Sequence, residues 1–144
     1  IVDIIPDDQM DRLYASADAF VIPTRGEGWG LPIIQSMSLA KPVLATRWGG
    51  ELEFMNDDVS FFIELEGLEQ PEGSTMPLGS KWAVPSASHL TSLMQYVVEN
   101  PGIARAVGVR AREHIVAHFS DEAVRRVLER RLQVIHDFVA SLYR

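Results

Sequence analysis

The sequence predicts an α/β fold built on a parallel sheet, with helices gathered at its C-terminal end. Three observations carry that prediction. Short, strongly apolar runs at 19–22, 43–46 and 60–64 have the composition of strands covered by helices on both faces. The first two are joined by a glycine-rich loop and one short helix, the order of a parallel crossover, which is right-handed when both strands share a sheet. After residue 82 the apolar spacing becomes that of helices and stays so.

Taken in order, residues 1–5 read as a short strand, and Pro6-Asp7-Asp8 as a turn whose carboxylates can cap a helix. Met10, Leu13, Tyr14 and Ala17 follow at amphipathic helical spacing. Pro23 stops the strand at 19–22. Pro32 suits the first turn of the next helix, which Lys41-Pro42 ends. Gly49-Gly50 turns the chain after the strand at 43–46 into a brief helical stretch at 51–55. From 65 to 81 no period is visible, and Pro71, Gly73, Pro77 and Gly79 mark a long loop, of a length that is usually functional or mobile. Ser86 or Ser88 caps a helix bounded by Asn100-Pro101-Gly102, a second helix runs over 103–118, and a third begins at Ser120. The apolar stripe of that last helix, from Val124 to Leu142, is expected in the core, because a doubly wound domain needs helices over its sheet.

A length of 144 residues fits one domain able to bury its own core. It divides into a strand and helix core at 1–64, the loop at 65–81 and the helices of 82–144. The 47% hydrophobic and 23% charged content is globular rather than disordered. A net charge of −7 argues against nucleic acid as a partner, since phosphate neutralisation needs a basic surface. Without cysteine there are no disulfides, thiol nucleophiles or thiolate metal sites. No apolar run approaches the roughly 18 residues of a spanning helix, so a soluble domain is expected, with a cytoplasmic setting favoured. The abrupt, strand-like start without an initiator Met reads as part of a longer protein.

Chemistry concentrates in the first glycine-rich loop. Glu27 stands among Gly26, Gly28 and Gly30, with Trp29 and Leu31 interleaved, directly before a helix. Glycines let backbone approach a ligand closely, and the first N–H groups of a helix favour an anion. A carboxylate accepts hydrogen bonds from sugar hydroxyls but repels a bare phosphate. Together these features suggest a ligand with both groups, a nucleotide sugar. The same pattern also fits a tight strand-to-helix connection whose glycines only solve backbone geometry and whose Glu27 helps cap the helix.

Glu27-Gly28-Trp29-Gly30-Leu31-Pro32 is followed by Met37-Ser38, Lys41-Pro42-Val43-Leu44-Ala45-Thr46, Trp48-Gly49-Gly50 and Glu53-Phe54. This succession resembles the nucleotide-sugar-binding domain of the glycosyl transferases group 1 family, retaining enzymes of the GT-B fold. The stretch from Leu13 to Thr24 is similar to that family too, and the likeness is dense to about residue 64. The resemblance implies a Rossmann-like, partial GT-B C-terminal domain. By the same resemblance, the chain belongs to an enzyme that moves a sugar from a UDP- or GDP-linked donor to an acceptor.

The resemblance also assigns roles. Glu27 would take the catalytic position by hydrogen-bonding donor-sugar hydroxyls, while Gly28 lies in the donor site and Trp29, Gly30 and Leu31 address the sugar and diphosphate through main-chain N–H groups. Gln35 falls where family members place a Glu for the ribose hydroxyls; an amide there turns a charge-assisted bond into a neutral one. The family's phosphate-binding Arg and Lys lie earlier than the point that resembles Ile1, and a separate N-terminal domain holds the acceptor. The chain alone is therefore expected to be inactive. Arg25 and Arg47 are its own candidates for phosphate, with solvated arginines as the other reading. No cofactor or metal is expected, since a helix N-terminus and cationic side chains can stabilise a leaving diphosphate.

The remaining candidates read more simply. Asp7-Asp8 and Asp57-Asp58 are turn and cap residues. His114 and His118 have zinc-compatible spacing without an acidic partner at motif distance. Trp29 stacks near the ligand or fills the loop base, while Trp48 and Trp82 are packing residues. A second function class stays open, a non-catalytic binding or interaction module with a degenerate cleft. If strands of a parent sheet are missing, an exposed sheet edge is expected to drive self-association.

Overall fold

The structure is a computed structural model that describes residues 5–71, 77 and 79–142. Helix α1, Asp7–Ser16, leads to strand β1, Phe20–Ile22. Helix α2, Leu31–Ser38, then crosses to β2, Val43–Thr46, and a short 3-10 turn at Gly50–Glu53 precedes β3, Phe61–Ile63. These three strands form one parallel sheet in the order β1-β2-β3. Phe20 stands opposite Val43, and Ala45 opposite Phe62. Central β2 is buried at every residue, as an apolar run covered on both faces should be.

Strands β4, Leu65–Glu69, and β5, Trp82–Pro85, make a separate antiparallel pair. Three helices follow: α3 (Ala87–Glu99), α4 (Pro101–Phe119) and α5 (Asp121–Leu142). The core lies where α2 and α4 close on the sheet, with Ile33 and Met37 meeting Val43, Ala45, Phe62, Ala111 and Ile115. Ser86 caps α3 by accepting from the His89 N–H at 3.4 Å, and Ser120 caps α5 by accepting from the Ala123 N–H at 3.3 Å.

The structure corrects three expectations, and a fourth falls mostly outside the described residues. The loop over 65–81 is in part a strand, since 65–69 pairs with 82–85; Glu66, Gly67 and Glu69 are exposed there, so no apolar period marks it. The N-cap of α1 is Pro6, with no side-chain cap bond, and Asp7-Asp8 lies inside the helix. Of the strand expected at 1–5, only Ile5 is described, and it is not in a strand; residues 1–4 lie outside the described residues. The stripe of α5 is not core. Val127, Leu132 and Phe138 are 55%, 64% and 64% exposed, and Ala123 is its one buried residue among those described.

Candidate functional site

The carboxyl ends of β1 and β2 each feed a glycine turn, and the two turns press together. The Gly50 N–H donates to the Glu27 carbonyl at 3.1 Å. A Cβ on Gly50 would stand 2.0 Å from the Gly28 carbonyl oxygen, and one on Gly49 3.0 Å from the Glu27 N and O. No side chain fits between main chains that close. Gly-Gly after β2 is therefore what lets the loop after β1 lie flat on the sheet end. Gly26 and Gly28 differ, because a Cβ on either would meet nothing within 4 Å. Their bare side faces open space.

Gly30, at φ 83°, is the N-cap of α2 and turns the chain into the helix. Its carbonyl accepts from the N–H groups of Ile33 and Ile34 at 2.9 and 3.1 Å. Among the described residues, the N–H groups of Gly28, Trp29, Gly30 and Leu31 have no main-chain acceptor. Four consecutive amide donors thus stand at a helix start, following the half-buried Glu27. Such a fan suits an anion, and the carboxylate suits hydroxyls.

Trp29 is 40% exposed and rests on Phe54 and Phe119, at ring-centroid distances of 5.5 and 6.2 Å. It anchors the loop to the core while one side stays open. Gln35 is exposed on α2 and borders a shallow groove with Ile34, Ile115 and Phe119.

The two arginines are held elsewhere. Arg25 pairs with Glu69, donates to the Ala83 carbonyl at 3.2 Å and lies over the Trp82 ring at 4.6 Å, clamping the β4–β5 pair to the loop. Arg47 pairs with Asp57 and lies over the Phe62 ring at 4.1 Å. The bond to Asp57 raises the Arg47 pKa and holds the Asp57 carboxyl below its ordinary value. His114 and His118 stack at 4.8 Å; burial first, then the neighbouring His118, lowers the His114 pKa.

One residue of the site was not singled out in the sequence. Glu51, in the turn directly after Gly49-Gly50, is completely buried, and neither carboxylate oxygen has a hydrogen-bond partner. Burial pushes its pKa up to about 7, partly offset by its own main-chain N–H and reinforced by the charge of Glu27. An acidic residue in a turn ordinarily reads as solvated; the only signal was its place after a Gly-Gly pair that must pack inward.

Residues 2–69 match the family model described as glycosyl transferases group 1. Over these residues the chain is similar to that family. Among similar proteins, the sulfoquinovosyl transferase SQD2 of Arabidopsis thaliana is 39% identical over 51 residues, covering 35% of this chain and 10% of that protein. The MMP alpha-(1->4)-mannosyltransferase of Mycolicibacterium hassiacum is 26% identical over 120 residues, 83% of this chain and 25% of the other. The solved sucrose-phosphate synthase of Thermosynechococcus elongatus superposes with a TM-score of 0.69 at 23% identity, over 97% of this chain and 30% of that one. Anabaena HepE in complex with UDP-glucose gives 0.65 at 18%, over 87% and 30%. The fold is that of the GT-B glycosyltransferases. The chain spans less than a third of the length of each of these proteins.

Proposed function

We propose that the chain is the donor-binding part of a retaining glycosyltransferase that moves a sugar from a UDP- or GDP-linked donor to an acceptor. The observation that carries this is the row of four unpaired N–H groups from Gly28 to Leu31 beside Glu27, at the carboxyl ends of two parallel strands. In open α/β sheets that is where ligands sit. Glu27 accepts hydrogen bonds from donor-sugar hydroxyls, and the N–H groups of Trp29, Gly30 and Leu31 address the sugar and diphosphate. The open space over Gly26 and Gly28 leaves room for the ligand to approach the backbone. Gln35, one helical turn further along, offers an amide to the ribose.

In this reading the helix start stabilises the leaving diphosphate without a metal or cofactor. The acceptor and the phosphate-binding cations come from outside the chain, so the chain alone does not turn over. The UDP-glucose complex of HepE, a fold neighbour, agrees with a nucleotide-sugar donor. A second reading, a non-catalytic module with a degenerate cleft, draws on Gln35 being uncharged and on both arginines being paired away from the loop. Calorimetric titration with UDP- and GDP-sugars separates the two. Saturable binding that Glu27→Ala weakens by about tenfold or more supports the transferase reading, and no heat at millimolar ligand supports the module.

A further inference from the structure

Glu51 presents a buried acid whose oxygens have no hydrogen-bond partner beyond its own main chain, directly beneath the loop assigned to the donor. Its stem passes under Gly30, where an added Cβ would lie 3.5 Å from the Glu51 Cβ. Its tip ends at the loop base: a Cβ on Gly49 would stand 2.4 Å from the Glu51 Oε2 and 3.0 Å from the Glu27 N and O. The residue is fully buried, and both oxygens are unpartnered. Its charged surroundings are few. Glu27 acts on it from the loop, Glu53 on its own turn is exposed, and His114 of α4 makes its hydrogen bond with the main chain of the neighbouring Phe54.

We propose that Glu51 is a positioning residue for the donor loop: as a neutral acid it supports the Glu27 main chain from below, and as a carboxylate it releases it. A neutral carboxyl can offer both a donor and an acceptor to the main-chain N–H and C=O groups beside it, and adds no charge under Glu27. An ionised one only accepts, stands next to a second negative charge and must be hydrated, for which the packed loop base has no room. Ionisation therefore favours a lifted loop, in which Glu27 and the amide row no longer share one site. The assignment rests on the donor-loop reading, yet one arm of its test does not depend on it.

That arm follows the Glu51 side-chain 13Cδ and the main-chain amides of Gly26, Gly28 and Gly30 by NMR from pH 5 to 9. In the wild type the carboxyl and the loop amides are expected to shift with one shared midpoint near neutral pH. In Glu51→Gln the amides stay at their acid-form positions throughout. A Glu51 carboxyl already ionised at pH 5, or loop amides that titrate unchanged in Glu51→Gln, would overturn the proposal. The wild-type carboxyl decides even if the variant does not fold.

The second arm uses UDP-glucose as the probe. Wild-type affinity is expected to fall about tenfold per pH unit above the midpoint, as the binding-competent fraction falls, while Glu51→Gln stays flat. A wild type that binds UDP-glucose equally at pH 6 and pH 9 overturns the proposal. A shared NMR midpoint without any UDP-glucose binding upholds the Glu51 assignment and removes the donor-site reading instead.

Discussion

An acid buried without a cation keeps its proton, because desolvation penalises only the charged form. At Glu51 this has a consequence for stability that can be read apart from any ligand. The native state binds the proton up to about pH 7, whereas the ordinary carboxyl releases it near 4.5. The native state therefore holds more protons than the unfolded state between those values, and stability falls as pH rises through that window. The loss amounts to about 3 kcal/mol once pH exceeds 7, taking about 1.4 kcal/mol per pKa unit. Glu51→Gln removes the term. Urea unfolding at pH 5 and pH 8 should show the variant gaining on the wild type by about 2–3 kcal/mol between the two; a pH-independent difference would mean that Glu51 is ionised in the fold. Glu27, by contrast, stands out in the sequence, because glycines on both sides and a helix start after it suit either a ligand-facing carboxylate or a helix cap.

At the scale of elements, the site is an interlock of two turns. Glycines that look equivalent in the sequence have opposite duties. Gly50→Ala drives a methyl into the Gly28 carbonyl, 2.0 Å away, where only main chain can yield. It should cost about 3 kcal/mol, the upper end of ordinary overpacking. Gly28→Ala meets nothing within the protein, so its stability should stay within about 0.5–1 kcal/mol of wild type; its methyl instead faces the open side of the loop. Thermal unfolding of the two variants checks the order. If Gly28→Ala is the more damaging, the turns do not pack as described.

The same scale shows what periodicity reaches. Strands at 20–22, 43–46 and 61–63 were legible because they are short, strongly apolar runs, and α2 because Gly30 and Pro32 mark its start and Lys41-Pro42 its end. Strand β4 was not, since a two-stranded pair with solvent around it needs no apolar alternation, and its partner lies beyond a proline- and glycine-marked stretch. In α5 the amphipathic pattern was read correctly, but a pattern states that one face is apolar, not what covers it.

For the molecule as a whole, two surfaces stand open. The apolar face of α5 is exposed along its length, and β1 is an edge strand of its sheet among the described residues, with Val21 36% exposed. Contiguous apolar surface of this kind marks association. Sedimentation velocity on the purified chain should therefore show concentration-dependent self-association, and Leu132→Glu with Phe138→Glu should reduce it if α5 carries the contact. A monomer throughout the concentration series would contradict this. No helix among the described residues is long and apolar enough to cross a membrane.

The central claim, that Glu27 and the amide row form a nucleotide-sugar site, is tested most directly by binding UDP and UDP-glucose to the wild type and to Glu27→Ala. Hydrogen bonds to a charged group contribute about 1.5–3 kcal/mol each, so the sugar contact is worth at least about tenfold in affinity. The expected result is that Glu27→Ala lowers UDP-glucose affinity to the level of UDP and leaves UDP itself unchanged. Equal affinities of wild type and variant for UDP-glucose would contradict the account.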